Sequence, residues 1–308
     1  DYVWSVLELA RKMKKRRRLN KSEIVSRYRG FIGAIAVFLS NIHIFNFKKG
    51  TLYQGNVKSV CVPGLNCYSC PAATASCPIG AFQAVVGSSG FRFSYYITGI
   101  LILLGTLFGR IICGLLCPFG WFQELLYKIP SKKLETKKVS FLTYIKYVVL
   151  ALFVVLLPIA LKDDVGLSIP YFCKYICPAG ILEGAIPLSI ANSAIRSALG
   201  ILFSWKLIVL LSVVLLSILV YRPFCKWICP LGAFYSLFNK IAFIKLSVDK
   251  NKCISCGKCK SACKMDVDVT EDANNRECIR CTKCIKACPV SAISFKAFEK
   301  NKRSNNEK

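Results

Sequence analysis

Between positions 253 and 288 the chain uses one cysteine spacing twice, C-x2-C-x2-C-x3-C. The first run is Cys253, Cys256, Cys259 and Cys263; the second is Cys278, Cys281, Cys284 and Cys288, followed by Pro289. Gaps of two residues let successive thiolates close around one cubic iron–sulfur cage. The fourth Cys of each run leaves on a short helix and serves the other cage. The spacing therefore assigns Cys253, Cys256, Cys259 and Cys288 to one [4Fe–4S] cluster, and Cys278, Cys281, Cys284 and Cys263 to a second. A zinc ribbon would use two separated C-x2-C pairs, not two runs of four. Lys264 follows Cys263 where such a run usually has Pro, a change of local backbone geometry that leaves ligation intact.

The chain has 18 Cys and a single His, so any metal here is held by sulfur, and His-rich sites, His general bases and bis-His haem ligation are excluded as the main chemistry. Upstream, a Cys-Pro-x-Gly unit recurs at Cys77-Pro78, Cys117-Pro118, Cys177-Pro178 and Cys229-Pro230. The last three copies have another Cys four residues earlier, at Cys113, Cys173 and Cys225. Pro is tolerated at the first helical position, and a helix N-terminus favours a thiolate or an anionic cluster. The Gly two residues after Pro allows close approach of a bulky cofactor. A single C-x3-C pair reads equally well as packing thiols or lipid-modified Cys; fourfold repetition favours cluster ligation.

Composition sets these cysteines in a membrane. Of the residues 54% are hydrophobic, yet Lys and Arg number 43 against 16 Asp and Glu, for a formal charge of +27. Apolar segments at about 31–47, 94–116, 141–161 and 202–221 approach the length that crosses a hydrocarbon core. The stretch 179–199, with Glu183, Asn192 and Arg196, reads as an interfacial or re-entrant helix. Positive charge concentrates in 1–30, in the loop 118–140 and after Tyr221, which places both termini in the cytoplasm and the connections 48–93 and 162–201 outside. The expected fold is a mainly α membrane protein: about four transmembrane helices with Cys-Pro helix starts, plus a small cytoplasmic α+β ferredoxin-like domain. The expected division is a basic amphipathic juxtamembrane segment over 1–30, a polytopic membrane domain over 31–247, a two-cluster ferredoxin domain over 248–300 and a polar tail over 301–308. No small-residue cleavage site follows the first apolar run, and no signal peptide is expected.

In this topology Cys113, Cys117, Cys225 and Cys229 meet at the cytoplasmic ends of two spans, enough for an inner membrane cluster. Six thiols remain outside. Cys70, Cys77, Cys173 and Cys177 form the expected outer set, with Cys61 and Cys67 left as a disulfide or redox dithiol. In the alternative, Cys61, Cys67, Cys70 and Cys77 hold the cluster and Cys173 with Cys177 are the dithiol. Arg110 and Arg222 each stand three residues before a motif Cys, as boundary anchors or as charges that offset the cluster. His43, with Asn41 and Asn46, is an interfacial group or a contact for a quinone head.

The GR-x2-C-x3-CP-x-G and RP-x-C-x3-CP-x-G motifs, joined to a C-terminal two-cluster ferredoxin, resemble the membrane polyferredoxins of the NapH and NosR type over about residues 94–295. The resemblance implies electron transfer at or across the membrane in anaerobic respiration. The additional thiols Cys61–Cys77 and Cys173/Cys177 depart from that pattern. The resulting expectation is a membrane electron-transfer protein of the prokaryotic cytoplasmic membrane, an oxidoreductase component with no catalytic residue of its own. A cytoplasmic ferredoxin or flavoprotein would be the donor and a membrane or extracytoplasmic redox group the acceptor. The alternatives are a quinol dehydrogenase subunit and a redox-sensing membrane regulator. No flavin, haem or nucleotide motif is present, and the basic run beside an apolar segment fits lipid, not nucleic acid.

Overall fold

The computed structural model describes residues 21–87, 95–161 and 168–297. Most of the basic segment (1–20) and the tail 301–308 lie outside the described residues. Among the described residues two helices are long and apolar enough to cross a membrane, Val139–Ala160 and Ile201–Leu219. Both turn large apolar side chains outward, including Phe141, Val148 and Leu156 on the first and Ile201, Ile208 and Leu215 on the second. An exposed apolar face of this extent suits lipid rather than water. The other segments expected to span are built differently. The first lies mostly within helix Lys21–Ser40. The second stops at Phe108, because Gly109 turns into the left-handed region at φ +55°, and resumes as the short helix Ile111–Leu115. Helix Gly180–Ala191 is shorter still.

The Cys-Pro steps start helices, as proline chemistry dictates. Cys117 and Cys229 are extended N-cap residues, with Pro118 and Pro230 opening helices Pro118–Tyr127 and Pro230–Phe238. Helix Pro78–Gly87 begins in the same way after Cys77. These short helices pack inside the bundle: Pro118–Tyr127 lies against both Lys21–Ser40 and Ile201–Leu219.

The C-terminal unit is framed by two antiparallel strands, β1 (Ile244–Val248) and β2 (Ile293–Ala297), in the register Leu246 opposite Phe295. The composition change at 248 thus falls at the end of β1. Between the strands lies an internal repeat. Helices Lys258–Ala262 and Lys283–Ala287 pack on each other, each capped by a left-handed residue, Gly257 and Thr282. The left-handed backbone recurs in step at Ser255 and Arg280 and at Asp266 and Ser291. A side chain in that region is strained, so its return at matched positions marks a chain folded twice around similar objects.

The unit is locked to the helical part. Arg280, 1% exposed, donates to the carbonyls of Phe108 (3.2 Å), Ile244 (2.7 Å) and Asn239 (2.5 Å). Asn239 donates to the carbonyls of Asn275 and Cys278 and accepts from the Arg110 N–H.

Candidate metal centres

In the C-terminal unit each expected ligand set shares one cavity. Cys253, Cys256, Cys259 and Cys288 line the first, and Cys263, Cys278, Cys281 and Cys284 line the second. The fourth Cys of each run has crossed over. Cys263 and Cys288 both end a helix in extended conformation, which turns them away from their own run. Cys256 is exposed, so the first cavity is the one nearer solvent.

The inner site draws on two distant segments. Cys113, Cys117, Cys225 and Cys229 are all buried and are mutual electrostatic neighbours. Their surroundings are doubled. Arg222 donates to the Cys113 carbonyl and Arg110 to the Cys225 carbonyl (3.4 Å). Arg222 pairs with Glu124 at 2.9 Å and Arg110 with Glu277 at 3.1 Å. Both arginines are buried, at 2% and 0% exposed, so they are internal charges and not boundary anchors. A buried guanidinium is tolerated only when carboxylate and carbonyl partners replace its water. Arg222 and Arg29, with Lys283, outweigh burial at Glu124 and hold its carboxyl down at about 2. The motif glycines make room for these arginines. A Cβ on Gly120 would stand 2.9 Å from Arg222 Nη1, and one on Gly232 would meet the Cys225 carbonyl and Arg110.

The outer site repeats the inner one with one member displaced. Cys67, Cys77, Cys173 and Cys177 line a cavity of about 480 Å³. Cys70, expected here, does not line it; it packs with Ala72, Ala73 and Cys67 and lies 3.6 Å from Asn41 Oδ1. The physical reason lies in the repeat itself: the position four before Cys77 is Ala73, so this copy has no Cys where Cys113 stands in the next. Cys67 of the loop lines the cavity in its place, and Glu183 Oε2 accepts from its N–H at 2.6 Å. Burial pushes Glu183 up to about 7 and, with Glu183 beside it, the Cys67 thiol up to about 12. Cys61 is buried elsewhere, bridged to Ser76 through the backbone. No disulfide joins Cys61 and Cys67, and both thiols are free. His43 stacks on Tyr53 with ring centroids 3.8 Å apart.

The sites adjoin one another in order. Gly114, next to Cys113, sits so close to the carbonyl of Ile279, next to Cys278, that a Cβ there would overlap it. On the other side the Leu65 N–H donates to Cys117 Sγ at 3.4 Å, two residues before Cys67. The Tyr235 hydroxyl, fully buried, fixes this strip by donating to the Pro63 carbonyl at 3.0 Å.

The donor set suits a cubane cluster. Among the described residues no three His, Cys, Asp or Glu converge on the point one metal ion would occupy. A cubane takes one thiolate on each of four irons, so its ligands surround a cage and do not meet at a point. Backbone N–H groups are aimed at sulfur, from Gly232 to Cys229 (3.4 Å) and from Ala292 to Cys288 (3.3 Å). Such contacts stabilise an anionic cluster. Thiols this buried are neutral until metal binds, so loading releases protons.

Fold and sites together define an iron–sulfur electron carrier of ferredoxin type. The 4Fe-4S binding domain family matches residues 91–137, 147–186 and 202–249. Each match takes in one of the last three Cys-Pro units. Uncharacterized protein MJ0750 of Methanocaldococcus jannaschii is 35% identical over 210 residues, 65% of this chain and 78% of the relative. MJ0749 of the same organism is 30% identical over 66% of this chain and 70% of its own length. The chain belongs to the same family as these two proteins, and it binds [4Fe–4S] clusters. A methylamine utilization ferredoxin-type protein, MauN of Paracoccus denitrificans, is 24% identical over 62% of this chain and 58% of that protein. No solved structure matches.

Proposed function

We propose that the chain is a multi-pass membrane relay with four [4Fe–4S] clusters, passing single electrons between a cytoplasmic donor and an acceptor in or beyond the membrane. The observation that carries this reading is the order of the four thiol sites. Sixteen cysteines group into four candidate sets of four, linked in turn by the packing of the two short C-terminal helices, the Gly114–Ile279 contact and the Leu65–Cys117 hydrogen bond. The clusters, when bound, supply the one-electron redox centres. The residues of the chain do the rest. Cys253, Cys256, Cys259 and Cys288 hold the entry site near solvent, and Cys263, Cys278, Cys281 and Cys284 hold the next. Arg280, Asn239 and Gly114 press that second site against Cys113, Cys117, Cys225 and Cys229. The strip Leu65–Cys67 leads to the outer set of Cys67, Cys77, Cys173 and Cys177. A flavoprotein or a soluble ferredoxin would suit the exposed entry site. Support for the membrane setting comes from the outward apolar faces of the two long helices and from the Lys/Arg distribution.

The test is electron flux through vesicles holding the purified protein. A reductant on the side of the C-terminal unit should reduce a membrane-impermeant acceptor on the other side. Vesicles that pass no current, with all clusters assembled, would overturn the relay.

One observation favours quinol oxidation as a second reading. A cavity of about 280 Å³ lies beside Cys117 and Cys281, lined by Trp121, Leu125, Arg29 and Glu124. If quinol is the donor, a soluble quinol analogue will reduce the protein without any ferredoxin, and Trp121→Ala will abolish that reaction alone.

A further inference from the structure

The chain has three glutamines, and two of them, Gln83 and Gln123, stand six residues after the Cys of the first and second Cys-Pro units. Both are fully buried. Gln123 Nε2 donates to Cys225 Sγ at 3.1 Å, and Gln83 Nε2 donates to Cys173 Sγ at 3.2 Å. The orientation of each amide is fixed by its other end. The Phe224 N–H donates to Gln123 Oε1 at 3.2 Å and the Phe172 N–H to Gln83 Oε1 at 3.1 Å. A backbone N–H can only donate, so the oxygen must face it and the NH2 must face the sulfur. The second hydrogen of each NH2 is directed back to its own helix, to Phe119 O and Ile79 O.

The same bond thus occurs twice, from the first Cys-Pro helix of each site to the first Cys of the facing motif. We infer that Gln123 and Gln83 set the reduction potentials of the inner and outer membrane clusters respectively, by donating to one ligand sulfur of each. The inference rests on the reading that both sites hold clusters. A donor to ligand sulfur draws charge off the thiolate and stabilises the reduced, more negative cluster more than the oxidised one. These are positioning residues with an electrostatic effect, not catalytic ones. Glu183 and Tyr235 occupy the same place after the third and fourth Cys-Pro units, where they bind the 63–67 strip instead.

The test is an EPR-monitored redox titration of full-length protein. Gln123→Met keeps length and removes the donor. It should lower the inner midpoint by about 59 mV, a tenfold change in a one-electron equilibrium, and leave the outer midpoint in place. Gln83→Met should do the reverse. Should either variant fail to assemble, the wild-type protein labelled with 15N in the glutamine amides answers the question: both membrane-cluster signals should carry 15N hyperfine coupling. Clusters present with unshifted midpoints, or without 15N coupling, would overturn the inference and leave the relay standing. Absence of the membrane clusters from wild-type protein would overturn the relay itself.

Discussion

The inner and outer sites are two executions of one plan, and they differ in what surrounds the thiols. Each has a Cys-Pro helix whose glutamine reaches the facing motif, and each has a second Cys-Pro unit whose residue six positions on binds the 63–67 strip. The inner site is buried: all four thiols are buried and two arginines lie beside them, each with a carboxylate partner. At the outer site Cys70 and Pro170 stand where the motif places arginines, and a single Lys206 Nζ would approach a Cβ on Gly180. Cys67 comes from an irregular loop, and Cys67 and Cys173 are only partly buried. A buried, cation-lined site suits a relay held at a higher potential, whereas partly exposed thiols suit exchange with a partner.

The largest effects should come from the ligands. Cys117→Ser and Cys229→Ser lie over a hundred residues apart, yet each should remove the same inner signal, about four irons, and spare both C-terminal clusters. EPR of the two purified variants is the check, and dissimilar spectra would separate the two halves of the inner site. The sharper comparison is at the loop. Cys67→Ser should abolish the outer signal, whereas Cys70→Ser should keep it, read from iron content and EPR together. The opposite result would restore Cys70 as ligand and undo the structural parallel between the two sites.

The sequence makes the inner site more legible than the outer one. Spacing assigns the eight C-terminal cysteines to crossed sets, because a short repeat confines its thiols locally. The repeated C-x3-C-P units likewise pair Cys113 and Cys117 with Cys225 and Cys229. Cys67 carries no such signal. It lies three residues from Cys70 in a loop without periodicity, and only the course of the backbone past Ser69 decides which thiol faces the cavity. The bond that selects it, from the Cys67 N–H to Glu183, joins positions 116 apart. Gln83 and Gln123 do carry a readable signal, an aromatic-Gln pair in phase with the Cys-Pro repeat. The expectation of four like spans met two helices of spanning length among the described residues, and Gly109 breaks one of the other apolar runs internally.

An intermediate effect is expected at the contact that joins the C-terminal unit to the inner site. Gly114→Ala drives a Cβ into the Ile279 carbonyl, and overpacking of this kind costs about 1–3 kcal/mol. Both neighbouring clusters should assemble while electron transfer between them slows, as stopped-flow reduction would show. A variant that transfers at the wild-type rate would place the transfer route elsewhere.

The smallest effect should be Tyr235→Phe, which removes one buried hydrogen bond to Pro63, about 1 kcal/mol. It should loosen the 63–67 strip and slow transfer from the inner to the outer site while keeping the iron content constant. Equal loss of both membrane clusters would make Tyr235 a general core residue instead.

The central claim is that sixteen of the 18 cysteines form four cluster sites. Its most direct test is the iron and acid-labile sulfide content of the full-length protein, purified without oxygen. At four irons per cubane, about sixteen irons and as many sulfides per chain are expected. About eight, with the protein folded, would leave clusters in the C-terminal unit alone and contradict the relay.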